Sequence, residues 1–134
     1  MVIAYSPLAQ GMLSGRYHQG NLPSNRVRAA NPLFLPENLE RAVGLIATLQ
    51  AVADAHSASP AQVALAWAIH HPAVVAIPGA STVAQLESNV AAADIDLTAD
   101  EYETLKTASD RFNPVTGVNA YTKIARSRFG PRRS

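Results

Sequence analysis

Two short apolar runs in this sequence each break into a proline-containing turn of small residues. The first turn is Tyr5-Ser6-Pro7-Leu8-Ala9-Gln10-Gly11 and the second is Ile77-Pro78-Gly79-Ala80-Ser81-Thr82. Ligands of α/β proteins lie beyond the carboxyl ends of parallel strands, and helix N-termini carry free amide donors that favour anions. Both turns are therefore candidate phosphate cradles. Ordinary turn chemistry accounts for either one taken alone, and neither carries the Gly-rich fingerprint of a Rossmann site or a P-loop. Groups for proton transfer do not assemble in the same way. A tyrosine acid needs a nearby cation, and His18, His56, His70 and His71 show no recognisable spacing around Tyr5, Tyr17, Tyr102 or Tyr121. His70 and His71 read as dipole partners at a helix C-terminus, with no third ligand for a metal, and His56 reads as a helix-end residue. With no cysteine there is no disulfide, no thiolate nucleophile and no Cys-based zinc site.

The elements that must position the two turns follow from local signals. Residues 1–5 are a β-branched run ending at Ser6-Pro7, and so a strand. The segment from Ser6 to Pro36 is rich in Gly, Pro, Asn and Ser, and reads as a long loop with a single turn near Met12–Leu13; so long a loop needs a ligand or a covering role. Leu39, Ala42, Val43, Ile46, Leu49 and Ala53 keep helical spacing, with Glu40, Arg41, Gln50 and Asp54 on other faces, which predicts an amphipathic helix over 37–56. Ser59-Pro60-Ala61-Gln62 is a strong helix start, and the helix should stop at His70-His71-Pro72. Residues 73–77 then predict a buried strand of parallel type. Thr82 with Gln85 caps a short helix through Leu86 and Val90, and Thr98-Ala-Asp-Glu101 opens another to about Ser109. The order of strand, loop, helices, strand and helices is α/β, with no internal repeat.

Composition bounds the class. The 134 residues are 48% apolar and 16% charged with net charge +1, which is a soluble globular type of one domain at most. No apolar run approaches the roughly 18 residues of a membrane span, and no secretion signal is visible, so a cytoplasmic address is expected. Charge is uneven: the ten acidic residues all fall in 1–110 with five basic ones, while 111–134 carry six basic residues. Arg126, Arg128, Arg132 and Arg133 suggest a nucleic-acid arm, but only Tyr121 and Phe129 offer stacking surface and no nucleic-acid motif accompanies them. A solvated or docked tail is the expectation.

Three stretches, in order, carry a resemblance. Ile3-Ala-Tyr-Ser-Pro-Leu-Ala-Gln-Gly-Met-Leu-Ser-Gly-Arg16, Ser59-Pro-Ala-Gln-Val-Ala-Leu-Ala-Trp67, and Ile77-Pro-Gly-Ala-Ser81 through Gln85 to Asn89 resemble the aldo-keto reductases, over most of residues 2–109. The resemblance is to the C-terminal half of a (β/α)₈ TIM barrel that reduces carbonyls with NADPH. It implies that Met1 begins the seventh strand and Val74–Ile77 forms the eighth. Such a barrel takes about 250 residues, so this chain is expected to be incomplete on its own. The family's Asp, Tyr, Lys and His tetrad lies on earlier strands, and no catalytic residue is assigned here.

What the resemblance implies for cofactor binding is more specific. Tyr5 matches the position whose ring stacks on the nicotinamide, against the plainer reading of a core tyrosine at a strand end. Ser6, Pro7, Leu8, Ala9 and Gln10 match the loop around the diphosphate, while Arg16, Ser24 and Arg26 match a longer loop folded over the phosphates. Gly79 and Ser81 match the turn that meets the adenosine 2′-phosphate, with Gln85, Ser88 and Asn89 as adenine and phosphate readers. Many members carry Lys at Gly79 or Ala80, Arg at Gln85 and Glu at Ser88. This version has fewer direct charges for a 2′-phosphate, and Arg16 and Arg26 are the candidates to supply them, guanidinium being suited to phosphate. NADPH is expected ahead of NADH. The expected organisation is a cofactor-binding part over 1–110 and a basic tail over 111–134, inactive alone, with a nicotinamide dinucleotide and an N-terminal half-barrel chain as partners, and neither nucleic acid nor membrane. The competing reading is a non-catalytic nucleotide-binding or interaction module.

Overall fold

Helix starts fall where proline and capping side chains put them. In the computed structural model, which describes residues 1–129, strand β1 (Val2–Tyr5) leads into a 3₁₀ segment (Ala9–Ser14), helix α1 (Arg26–Ala29) and a 3₁₀ turn (Pro32–Phe34). Helices α2 (Pro36–Ala55) and α3 (Pro60–Ile69), strand β2 (Val74–Ile77) and helix α4 (Val83–Ala91) follow, then a 3₁₀ turn (Ala92–Asp94), α5 (Ala99–Arg111) and α6 (Gly117–Phe129). Both expected capping boxes form. Ser59 N–H donates to Gln62 Oε1 at 2.9 Å while Gln62 N–H donates to Ser59 Oγ at 3.3 Å, and Thr98 and Glu101 repeat the exchange at 2.9 and 3.2 Å. His56 is more than a helix end. Its Nε2 lies 3.0 Å from both Glu101 carboxylate oxygens, joining the C-terminus of α2 to the N-terminus of α5.

The two strands pair in parallel with Val2 opposite Val74 and Tyr5 opposite Ile77. The architecture is α/β, with α3 packed between the strands and α2. Leu45, Leu49, Val52 and Ala53 of α2, Val63, Ala64 and Ala66 of α3, and Leu97 and Leu105 make one core; Met12, Phe34, Leu39 and Ala42 make a second, and Phe112 touches both. Burial of this kind is worth roughly 25 cal/mol per Å² of apolar surface. The sole tryptophan, Trp67, packs against the first core with its indole Nε1 buried and, among the described residues, without a hydrogen-bond partner.

Three expectations need correcting. The 73–77 strand begins at Val74, and neither strand is buried: Ala4, Val74 and Ala76 are half-buried, whereas Ile3 (58% exposed), Tyr5, Val75 and Ile77 line an open face. Parallel sheets normally have both faces covered, and here helices cover one. Val43 is 61% exposed because the buried stripe of α2 centres on Leu49, from which Val43 lies about a third of a turn away. The long 6–36 segment is not plain loop. Met12, Pro23 and Phe34 are buried within it, and Asn25 and Asn31 cap its short helical turns. Of the two expectations for the tail, solvated or docked, the described part takes the second: it contains α6, set against the 32–34 turn and the start of α2. Asn38, fully buried, donates through Nδ2 to the Pro32 and Val115 carbonyls at 2.8 and 3.0 Å and accepts from Val115 N–H at 2.7 Å. Arg41 donates to the Asn113 carbonyl at 2.7 Å, and Lys123 pairs with Glu37. The Lys123 hydrogen bond is the main reason the Glu37 carboxyl titrates below its ordinary value. Arg132 and Arg133 lie outside the described residues, as do the side chains of Arg128 and Phe129.

Candidate cofactor site

Parallel pairing with Tyr5 opposite Ile77 brings both candidate turns to the same edge of the sheet. Adjacent strands run about 4.8 Å apart, so the chain leaves β1 and β2 side by side and the two turns begin as neighbours. Tyr5 stands at that edge on the open face with 82% of its surface exposed. Residues 1–129 leave that ring uncovered.

The first turn is strained. Ser6, Ala9 and Gln10 adopt φ of 50°, 48° and 57°, and Gly11 follows at 97°. Left-handed backbone at a non-glycine residue costs on the order of 1–3 kcal/mol and persists only where its surroundings over-determine it, most often at ligand sites. The turn's own bonds account for part of that determination: Ala9 N–H donates to the Ser6 carbonyl at 2.8 Å, and Gly11 N–H to the Leu8 carbonyl at 2.9 Å. Pro7 and Leu8 complete it, with Leu8 packed against the α2–α3 core.

The second turn is held by side chains. Ser81 donates to Gln85 Oε1 from its backbone N–H (2.8 Å) and from its Oγ (3.0 Å), Gln85 N–H donates to Thr82 Oγ1 at 3.2 Å, and Asn89 Nδ2 reaches the Gly79 carbonyl at 3.5 Å. Gly79, Ser81, Gln85 and Asn89 thus converge at the N-terminus of α4. Both Ser81 donors are already used by Gln85, so an anion here must displace the Gln85 side chain. Ser88 is linked elsewhere: its carbonyl accepts from Gln62 Nε2 at 3.1 Å, tying α4 to the start of α3.

Arg16, Ser24 and Arg26 are exposed on the 15–30 segment. Among the described residues the Arg16 and Arg26 guanidinium groups have no hydrogen bond or ion pair, and nothing joins them to the second turn. Sequence spacing missed one pair on this segment. Arg28 Nη1 donates to Tyr17 Oη at 3.3 Å, and the Tyr17 ring meets Phe34 edge-on with centroids 5.2 Å apart. No local rule links positions 17 and 28; only the folded segment brings them together. His70 stacks on Tyr102 with centroids 4.4 Å apart, and among the described residues no group of three or more His, Asp or Glu side chains is placed to hold a metal ion.

Comparison with known proteins shows the family. The Aldo/keto reductase family model matches residues 1–110. Uncharacterized oxidoreductases of Mycobacterium bovis and Mycobacterium tuberculosis are each 54% identical over 132 residues, covering 98% of this chain and 41% of the relative. An aldo-keto reductase of Strobilurus tenacellus is 37% identical over 102 residues, covering 75% of this chain and 30% of its own. The chain therefore spans about two fifths or less of the length of these curated relatives.

Proposed function

The chain belongs to the aldo/keto reductase family, and from that premise we propose that residues 1–110 are the cofactor-binding, C-terminal part of a (β/α)₈ barrel reductase, with 111–134 a C-terminal extension. The strained turn at Ser6–Gly11, beside a strand-end tyrosine with 82% of its surface exposed, carries this reading. NADPH, ahead of NADH, fits the residues present. Tyr5 offers a free aromatic face for a nicotinamide, Ser6–Gln10 a backbone turn for a diphosphate, and the unpaired Arg16 and Arg26 charges for phosphate oxygens, with Ser24 between them. Gly79, Ser81, Gln85, Ser88 and Asn89 form the adenosine end. When bound, such a cofactor supplies the hydride for reducing an aldehyde or ketone.

The residues of this chain bind and orient; none is assigned as the proton donor. The open face of Ile3, Tyr5, Val75 and Ile77 suits an N-terminal half-barrel bearing the remaining strands, and a cytoplasmic setting fits the family. Fluorescence titration with NADPH and NADH tests the reading. Arg26→Ala should weaken NADPH about tenfold, the usual scale of one charge-assisted hydrogen bond, and NADH much less. Equal losses for the two would remove Arg26 from the 2′-phosphate. The isolated chain should show no steady-state NADPH oxidation with a simple aldehyde; robust turnover would overturn the division of labour.

A further inference from the structure

Arg26 sits in a four-residue helix, α1, that cannot hold its own orientation, since isolated helices shorter than about 12–15 residues are marginal in water. Its register is set locally by Asn25, whose side chain accepts from Val27 N–H at 2.8 Å. Among the described residues, α1 makes one side-chain hydrogen bond beyond that cap, from Arg28 to the Tyr17 hydroxyl. Tyr17 in turn touches the strained turn. A Cβ built on Gly11 would stand 3.3 Å from Tyr17 Cε2, so the ring lies directly against the left-handed backbone at φ 97°. Phe34, buried in the Met12–Leu39–Ala42 cluster, anchors the same ring from another side.

We infer that Tyr17 is a positioning residue of the cofactor site: its ring rests on the Gly11 turn and its hydroxyl holds Arg28, fixing the arginine-bearing helix α1 relative to the diphosphate turn. The inference rests on the cofactor reading above, and it assigns to Tyr17 and Arg28 a part in choosing between the two nicotinamide dinucleotides. Removing the hydroxyl should free α1 while leaving the turn and the core in place.

Tyr17→Phe in the full chain is the direct test, because it keeps the ring contacts with Gly11 and Phe34. Without nucleotide, amides of residues 26–30 should exchange about tenfold faster than in the parent, with α2 and α3 unchanged. Arg28→Leu should match it, the double variant should add little, and Arg28→Lys, which can still donate to the hydroxyl, should recover part of the protection. In titrations with NADPH and NADH, Tyr17→Phe should reduce the preference for NADPH about threefold to tenfold. Exchange at 26–30 within twofold of the parent overturns the inference. So does faster exchange with an unchanged preference, which would reduce Tyr17 to a packing residue. If the parent chain binds neither nucleotide, the cofactor reading fails and the specificity role falls with it; if the parent binds and the variant behaves identically, Tyr17 alone is excluded.

Discussion

Replacing Asn38 by alanine removes the one fully buried polar side chain in the described core and three hydrogen bonds with it: those to the Pro32 and Val115 carbonyls and that from Val115 N–H. At about 1 kcal/mol net for each bond, the loss is about 3 kcal/mol. The small void left behind adds to this, and water reaching a loosened 113–115 segment subtracts. For a chain of this size that is a fall in Tm of about 10 °C, measured by circular dichroism with a matching shift in urea midpoint. The aspartate variant separates hydrogen bonding from volume. Asn38→Asp keeps the acceptor for Val115 N–H but turns a carboxylate oxygen toward two carbonyls, which favours the protonated form and raises the folded-state pKa. Its stability should therefore rise as pH falls through that raised value, whereas Asn38→Ala should show no such gain. A loss below about 1 kcal/mol for the alanine variant, or no acid-side recovery for the aspartate, would refute the reasoning.

Ser59→Ala breaks the α3 capping box and should cost about 1 kcal/mol in urea unfolding, with Ser59→Asp close to the parent; equal losses for both would contradict the cap. Glu101 titrates below its ordinary value of 4.5, chiefly through the Thr98 N–H hydrogen bond and then through His56. Its contribution is thus present above about that pH and lost as pH falls through the lowered folded-state value, so Glu101→Gln should flatten the acid limb of a stability–pH curve that stays steep if other carboxylates dominate. The open strand face and free strand edges should make the chain self-associate in size-exclusion chromatography, and co-expression with an N-terminal half-barrel of a related reductase should raise its solubility; a compact monomer with both strands strongly protected would argue against this.

Local chemistry was readable and long-range chemistry was not. Ser59-Pro60 and Thr98–Glu101 announce their helices because both halves of a capping box lie within four residues. The end of β2 and the start of α4 are legible for the same reason. Helix α6 begins at Gly117 with φ 66°, and it is tied down by the buried Ala120, by Asn38 bonding to Val115 just before it and by Lys123 pairing with Glu37, partners that no local window contains. The 73–77 strand reads as buried because both its faces are apolar, and sequence cannot say that helices cover only one of them. At the site, the two turns were found from strand ends and small residues. Their juxtaposition depends on parallel register, and Tyr17 with Arg28 on the fold of the intervening segment.

The register that sets Val2 opposite Val74 joins residues about 70 positions apart along the chain. The α2–α3 hairpin and the Ser59 cap close over far shorter spans, whereas the seating of the 113–123 segment on α2, through Asn38–Val115 and Lys123–Glu37, reaches as far. Loop closure must be met before the ladder returns anything, and an isolated two-stranded pair is marginal in water. The sheet is accordingly among the late contacts to form on folding and among the early ones to open in the native ensemble. Since both turns hang from its carboxyl edge, their spacing breathes with that opening. A ligand bridging them acts as a clasp on a slow-forming contact, and its affinity carries the free energy of shutting the sheet.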